Sequence, residues 1–257
     1  RSGANGLIGA EIAVRTAADG HNLLFATSST LIGAVLLLKA ATMDPIKDLT
    51  SISNLFESLR LVTVHGSLPV SSLRQLIDYA KKNPGKLSYG SSGVGSAFHL
   101  DGERIVKAAG IDIVHVPMKG SAPMTTELLS GRIEVGFPSL SNVRPYLASG
   151  KMKLLAIIGE KRNSRYPDVP TVAEILPGVS KFPSWTALVG PAGIPKPVVA
   201  RIYGAASAAM DDNNVRAFHD KAGTQINKGS PEALTELMKH DLIETKKFLD
   251  SIGMKPI

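Results

Sequence analysis

Apolar residues along this chain fall into two alternating patterns. The unbroken apolar run at residues 23–26 reads as a buried strand, and the stretches at 49–57, 59–64, 113–116, 133–137, 154–158 and 185–189 read as further strands. Between them lie segments with apolar residues at helical spacing. Leu73, Leu76, Ile77 and Ala80 form one face, opened by the capping signature Ser72-x-x-Gln75 and stopped by Asn83-Pro84-Gly85. A helix follows the strand at 87–89 and runs to about Ala109-Gly110. Others begin after Lys119–Pro123, at 143–147 and after Pro197. Residues 1–6 read as loop, and Ile8 and Ile12 begin a helix ending near Asp19-Gly20. Asp212 and Ser230 read as N-caps, with Pro231 at the first helical position. Leu234, Leu237, Met238 and Leu242 give the last helix its buried face. Residues 161–183 carry few periodic apolar positions and several Pro and Gly, which predicts mostly loop. The alternation of strand and helix predicts an α/β fold with largely parallel sheets.

Three strand–loop–helix junctions are rich in hydroxyls or small residues: Thr27-Ser28-Ser29-Thr30, residues 90–96, and Lys119-Gly120-Ser121-Ala122-Pro123. In the second, Gly90, Gly93 and Gly95 allow positive φ and close backbone approach, and Ser91, Ser92 and Ser96 add hydroxyls. A loop feeding a helix N-terminus leaves unpaired N–H groups beside the positive end of the helix dipole. Such a junction can hold a carboxylate or phosphate without a charged side chain. Ligands of parallel α/β sheets sit outside the carboxyl ends of the strands, so all three junctions are expected at one edge. The 90–96 stretch is not a nucleotide loop. No Lys-Ser/Thr follows Gly95, and Phe98 stands where a dinucleotide fingerprint needs its third glycine. The nucleophile-elbow spacing also fails by one residue. A plain connecting loop built of turn formers stands beside the ligand-holding reading.

The chain has 257 residues, 44% hydrophobic and 20% charged, which fits one large globular domain or two ordinary ones. Aromatics are only 5%, so the core is aliphatic. The net charge of +7 is scattered. Its densest cluster, Lys161-Arg162-x-x-Arg165, has no interleaved aromatic platform, which argues against a nucleic-acid partner. The absence of cysteine removes disulfides, thiolate metal sites and cysteine nucleophiles. The most apolar run, residues 31–38, falls short of the ~18 residues a spanning helix needs.

Histidines stand at 21, 65, 99, 115, 219 and 240 without a metal-ligand pattern, so neither a metal nor another cofactor is expected. His99, beside the serine loop, is a candidate ligand contact or a packed histidine. His115 lies inside an apolar strand and reads as structural. Lys119 reads as an anion partner or a surface lysine. No nucleophile, base and orienter fall together, which counts against an enzyme. The enzymatic alternative is an α/β hydrolase using His99 as base near Ser92 or Ser96. A further alternative is the effector-sensing domain of a regulator.

Ordered fragments along the chain carry a family resemblance. They are Asn5-Gly6-x-Ile8-Gly9-Ala10-Glu11, Asp44-Pro45-x-x-Asp48, Leu68-Pro69-Val70-x-Ser72-Leu73 and Pro84-Gly85-Lys86-Leu87-x-Tyr89. They continue through Gly93-x-Gly95-Ser96-x-x-His99-Leu100, Lys119-Gly120-Ser121-Ala122-Pro123, Asp168-Val169-Pro170-Thr171-Val172-Ala173-Glu174, and Trp185 with Pro191-Ala192-Gly193. In that order and spacing the chain resembles the extracytoplasmic solute receptors of tripartite tricarboxylate transporters, the Bug-type periplasmic binding proteins.

The resemblance implies a type II periplasmic-binding fold, two α/β lobes joined by crossover strands. The first lobe would be residues 1–64 and 186–257, the second 65–185. It also implies a monomeric periplasmic receptor that captures a small carboxylate in the interlobe cleft and hands it to a membrane permease. Expected contacts are Thr27, Ser28 and Ser29 from the first lobe. Ser91, Ser92, Gly95, Ser96, His99, Lys119, Gly120, Ser121 and Ser139 would act from the second. Family members carry a further strand, Gly-rich loop and helix ahead of the Asn5 region, and a signal peptide before that. This sequence begins after both. Two departures alter the expected pocket. Phe137-Pro138-Ser139 stands where relatives often place Asp or Asn, and Pro has no N–H to give. Met118 replaces a frequent Tyr.

Overall fold

The computed structural model describes residues 4–179 and 181–257, so the loop expected at residues 1–6 lies partly outside it. The chain divides into two compact units. One is the chain up to Ser58 together with Pro183–Ile257, the other Leu59–Phe182. These limits differ from the expected 64/65 and 185/186, for a reason visible in the pairing. The strand beginning at Arg60 bonds wholly within the second unit, and the strand beginning at Trp185 wholly within the first.

The first unit opens with a short turn, Ala4–Gly6, and helix α1 (Leu7–Val14), which buries Leu7 and Ala10. α1 stops well before the Asp19-Gly20 punctuation. Strand β1 (Leu24–Thr27) leads into a π-helical turn, Ser29–Ala34, continued by α2 (Val35–Leu37). β2 (Leu49–Ser58) then carries the chain out of the unit.

The second unit runs β3 (Arg60–His65), α3 (Leu73–Lys82), β4 (Ser88–Ser91), α4 (Ala97–Ala109) and β5 (Val114–Pro117). It continues with α5 (Ser121–Ser130), β6 (Val135–Gly136), α6 (Leu140–Ala148), β7 (Met152–Ile158) and α7 (Val172–Ile175). The Ser72 hydroxyl caps α3 by accepting the Gln75 N–H at 3.2 Å. Gln75 returns its side-chain oxygen to the N–H of Ser71 and not of Ser72, so the expected capping box closes one residue early. α7, in a region read as loop, is opened by a full capping box between Thr171 and Glu174.

The five strands stand in the order β5-β4-β6-β3-β7. β4 is parallel to β5 and to β6, whereas β3 is antiparallel to β6 and β7. α4 lies very close on this sheet. A Cβ on Gly102 would come within 2.5 Å of Tyr89 and 2.8 Å of Phe137, so only glycine fits there. Leu73, Tyr89, Val135 and Phe137 are among the fully enclosed members of the core. Arg60, at the entry, is also buried. Its guanidinium donates to Asp101 of α4 and to the carbonyl of Phe182 at the exit, and Asp101 accepts the Phe182 N–H at 2.7 Å.

The chain returns to the first unit through β8 (Trp185–Pro191) and continues as α8 (Lys196–Asp211), α9 (Asn213–Ala222), β9 (Thr224–Gly229) and α10 (Pro231–Ser251). Its sheet, β1-β8-β2-β9, is antiparallel at every pairing. The expectation of largely parallel sheets therefore holds only for the β5-β4-β6 portion. β2 leaves this unit and β8 re-enters it alongside, so the two must run in opposite directions. β9 escaped the sequence reading because Thr-Gln-Ile-Asn-Lys-Gly carries one apolar residue. It forms on the open edge of β2, where its backbone finds partners, and the Thr224 hydroxyl meets His219 Nδ1 at 2.6 Å. Leu234 and Met238 of α10 are buried as expected, whereas Leu237 and Leu242 are half-buried. Asp241 of the same helix accepts the Trp185 indole N–H at 2.7 Å.

Candidate ligand site

β5, β4 and β6 run side by side in one direction, so the segments leaving their carboxyl ends share one edge of the sheet. Those segments open α5, α4 and α6. Three helix N-termini, with the positive ends of their dipoles, therefore gather on that edge. The first two are fastened to each other. The N–H of Met118 donates to the Ser91 carbonyl at 3.0 Å, and that of Gly120 to the Ser92 carbonyl at 3.2 Å. Parallel register between β4 and β5, with Ser91 beside Pro117, makes these two bonds the continuation of the sheet into the loops.

The loop from Ser91 to Ser96 is held largely from within. The Gly93 N–H donates to Ser91 Oγ at 3.2 Å and the Ser96 N–H to the Gly93 carbonyl at 3.1 Å. Gly95, at φ 78°, turns its N–H onto His99 Nδ1 at 3.1 Å. Ser96 is the N-cap of α4, its hydroxyl accepting the His99 N–H at 3.3 Å. α5 and α6 differ. Neither Gly120 nor Ser139 caps its helix with a side chain. Ser121 and Ala122 then present first-turn N–H groups, and Pro123 presents none.

Behind the loop lies a stack of rings. His99 packs on His115 with centroids 4.1 Å apart and planes 20° from parallel, and His115 packs on Tyr89 at 4.8 Å. The Tyr89 hydroxyl donates to Glu103 at 2.5 Å. Burial pushes His99 down to about 3, with the neighbouring His115 adding to the shift, and burial pushes His115 down to about 4. Both rings are neutral at ordinary pH. Glu103 stands 3.8 Å from His99 Nε2, beyond hydrogen-bond reach, and its attraction does not offset the desolvation of a charged ring. Burial and the Glu103 carboxylate both raise the Tyr89 phenol well above its ordinary value.

The structure thus sorts the expected site residues. In the second unit, Ser92, Lys119, Gly120, Ser121 and Ser139 lie at the strand edge. Among the described residues, the side chains of Ser92, Lys119, Ser121 and Ser139 have no protein hydrogen-bond or ion-pair partner. Ser91, Gly95, Ser96 and His99 are buried, and their polar groups are engaged in building the loop. In the first unit, Thr27 is exposed with its hydroxyl 3.2 Å from that of Thr30. Ser28 is buried and donates to the Pro183 carbonyl at 2.6 Å, and Ser29 begins the π-helical turn. The expected convergence of three junctions on one edge therefore holds for the two in the second unit. The Thr27–Thr30 junction belongs to the antiparallel sheet of the first.

Sequence reasoning passed over Tyr89 and Glu103 and took His115 as structural. Their one available signal was a histidine inside an apolar strand next to a serine loop. No group of three or more metal-ligating side chains is found among the described residues, and none of the described helices is long and apolar enough to cross a membrane.

Residues 1–254 match the tripartite tricarboxylate transporter family receptor pattern. A UPF0065 protein of Cupriavidus necator is 33% identical over 254 residues, covering 99% of this chain and 76% of that protein. An R. palustris protein solved with adipate superposes with a TM-score of 0.94 at 30% identity, covering 100% of this chain and 86% of that one. The periplasmic binding protein BugD superposes with a TM-score of 0.92 at 27% identity, over 100% and 86% of the respective chains.

Proposed function

The chain belongs to the tripartite tricarboxylate transporter receptor family, and from that premise we propose that it captures a small carboxylate in the periplasm for delivery to a membrane permease. The observation that carries this reading is the pair of bonds from Met118 to Ser91 and from Gly120 to Ser92. They set the N-termini of α4 and α5 side by side on one strand edge. A carboxylate there meets oriented N–H groups and the positive ends of two helices, with no need of a buried cation. Ser92, Gly120, Ser121 and Ser139 supply contacts in this reading, and Lys119 adds an exposed charge. Ser91, Gly95, Ser96 and His99 act by shaping the loop. Thr27 and Ser29 add contacts from the first unit in this reading, whereas Ser28, buried and donating its hydroxyl to the Pro183 carbonyl, acts by shaping its own turn. The adipate in the R. palustris relative supports a dicarboxylate as the first compound to try.

The hydrolytic alternative needed His99 as a base for Ser92 or Ser96. Its Nδ1 already accepts the Gly95 N–H, and Ser96 is buried as a helix cap, so the geometry does not favour it.

Thermal unfolding with a panel of mono-, di- and tricarboxylates tests the reading. A ligand present at a hundred times its dissociation constant adds about 2.7 kcal/mol, worth roughly 5 °C or more in melting temperature. A panel that leaves the melting temperature unmoved throughout would overturn the proposal.

A further inference from the structure

The rings behind the loop close a circuit of contacts. Ser91 Oγ, at the last position of β4, lies 2.7 Å from His115 Nε2. His115 stacks on His99 at 4.1 Å, and His99 Nδ1 takes the Gly95 N–H at 3.1 Å. From Gly95 the chain runs back through the loop to Ser91. One pair of stacked imidazoles thus holds both ends of the loop.

The circuit works in one protonation state. Only a ring nitrogen with a free lone pair accepts an N–H, so His99 carries its proton on Nε2. A second proton on Nδ1 would set N–H against N–H and push Gly95 away. The groups facing His99 are His115 from β5 and Glu103 from the next turn of α4, and Tyr89 from β4 lies behind His115. Of these only Glu103 bears a charge, and it already takes the Tyr89 hydroxyl.

With Gly93, Gly95 and Ser96 bonded inward, the direction of the loop's other polar groups is set by what holds those three. The α5 loop is fixed in turn, because it hangs on the Ser91 and Ser92 carbonyls. We propose that His99 and His115 are positioning residues for the ligand edge, a neutral stacked clamp that aims the donors of both loops without touching the ligand. This inference rests on reading the edge as the carboxylate site, but the clamp itself is testable with no ligand present.

The test compares the full chain with His99→Asn and His99→Leu by amide hydrogen exchange and imidazole nitrogen spectra at neutral pH. Asparagine places an acceptor oxygen the same number of bonds from Cβ as Nδ1, so it should restore the clamp. His99 of the wild type should show an unprotonated Nδ1 and a protonated Nε2. The Gly95 amide should be protected in wild type and His99→Asn, and should exchange roughly tenfold faster in His99→Leu, the weight of about one net hydrogen bond. Adipate affinity by calorimetry should follow the same order. If His99→Leu fails to fold, the wild-type spectrum and His99→Asn still decide. A protonated Nδ1, or a Gly95 amide as fast in the wild type as in an unstructured peptide, overturns the clamp, as does equal exchange in all three folded chains. If Gly95 behaves as expected while adipate leaves the wild type unchanged, the clamp stands and that failure counts against the carboxylate reading.

Discussion

Arg60 and Asp101 form a buried ion pair, 2% and 1% exposed, between the strand that enters the second unit and the helix that follows its serine loop. The same two side chains hold Phe182, the last residue of that unit, by its carbonyl and its N–H. Entry and exit are thus fastened to one carboxylate on α4.

Removing one partner leaves the other charge buried and uncompensated. Asp101→Ala should therefore cost about 3–5 kcal/mol in chemical denaturation. The double variant Arg60→Met/Asp101→Leu removes both charges together and should lose far less. Equal losses in the single and double variants would show that the pairing is not what holds this corner.

Gly102→Ala sets a helix preference of about 1 kcal/mol for alanine against a Cβ driven into the Tyr89 and Phe137 rings at 2.5 and 2.8 Å. Overpacking of this kind costs about 1–3 kcal/mol, more than the helix gains where the rings cannot retreat. They are enclosed in the core, so a net loss is expected, measured as a lower denaturation midpoint. A more stable variant would mean that α4 lifts freely off the sheet.

His99 links stability to pH. Its folded-state value, about 3, lies below the ordinary 6.5, so the unfolded chain takes up a proton first as pH falls. The stability this neutral ring contributes is complete above 6.5 and is lost on going down towards about 3, at up to about 1.4 kcal/mol per pH unit. His115, lowered to about 4 and partly exposed, adds a smaller part in the same direction. Denaturation midpoints at several pH values between 4 and 7 should fall with pH less steeply in His99→Asn than in the wild type. Parallel profiles would refute the linkage.

Ser121 stands at the first position of α5, where proline is well tolerated. Ser121→Pro deletes one N–H and one hydroxyl at the strand edge with little cost to the fold. Carboxylate affinity should drop about tenfold or more at a nearly unchanged melting temperature, in keeping with the loss of charge-assisted bonds. Lys119→Met, an exposed charge, should cost less, about two- to fivefold. The reverse order would place the binding energy in the lysine and not in the backbone.

Much of this was legible in the residues and some was not, for physical reasons. Apolar runs located β1, β7 and β8, and Ser72, Asp212 and Ser230 marked helix starts correctly, because these signals are local. Strand direction is not local. A buried run reads alike whether its neighbour is parallel or antiparallel, and so the first unit's sheet was misjudged. The serine loop was read as ligand-holding from its composition, but that composition did not disclose that the polar groups of Ser91, Ser96 and His99 turn inward to build the loop. Hydroxyl and ring type say nothing of which way a side chain turns. The Arg60–Asp101 pair joins residues 41 apart and left no pattern to find.

The register of β4 against β5, Ser88 beside Val114 through Ser91 beside Pro117, bears on what kind of genetic change the second unit can absorb. A single-residue insertion or deletion within β5 would slip it by one place against β4 and exchange its two faces. His115 would leave both His99 and Ser91, and the N–H groups of residues 118 and 120 would meet the wrong carbonyls. Point substitutions along the same stretch spare the main-chain bonds. Along β4 and β5 the register of the backbone is therefore under tighter constraint than the identity of the surface side chains.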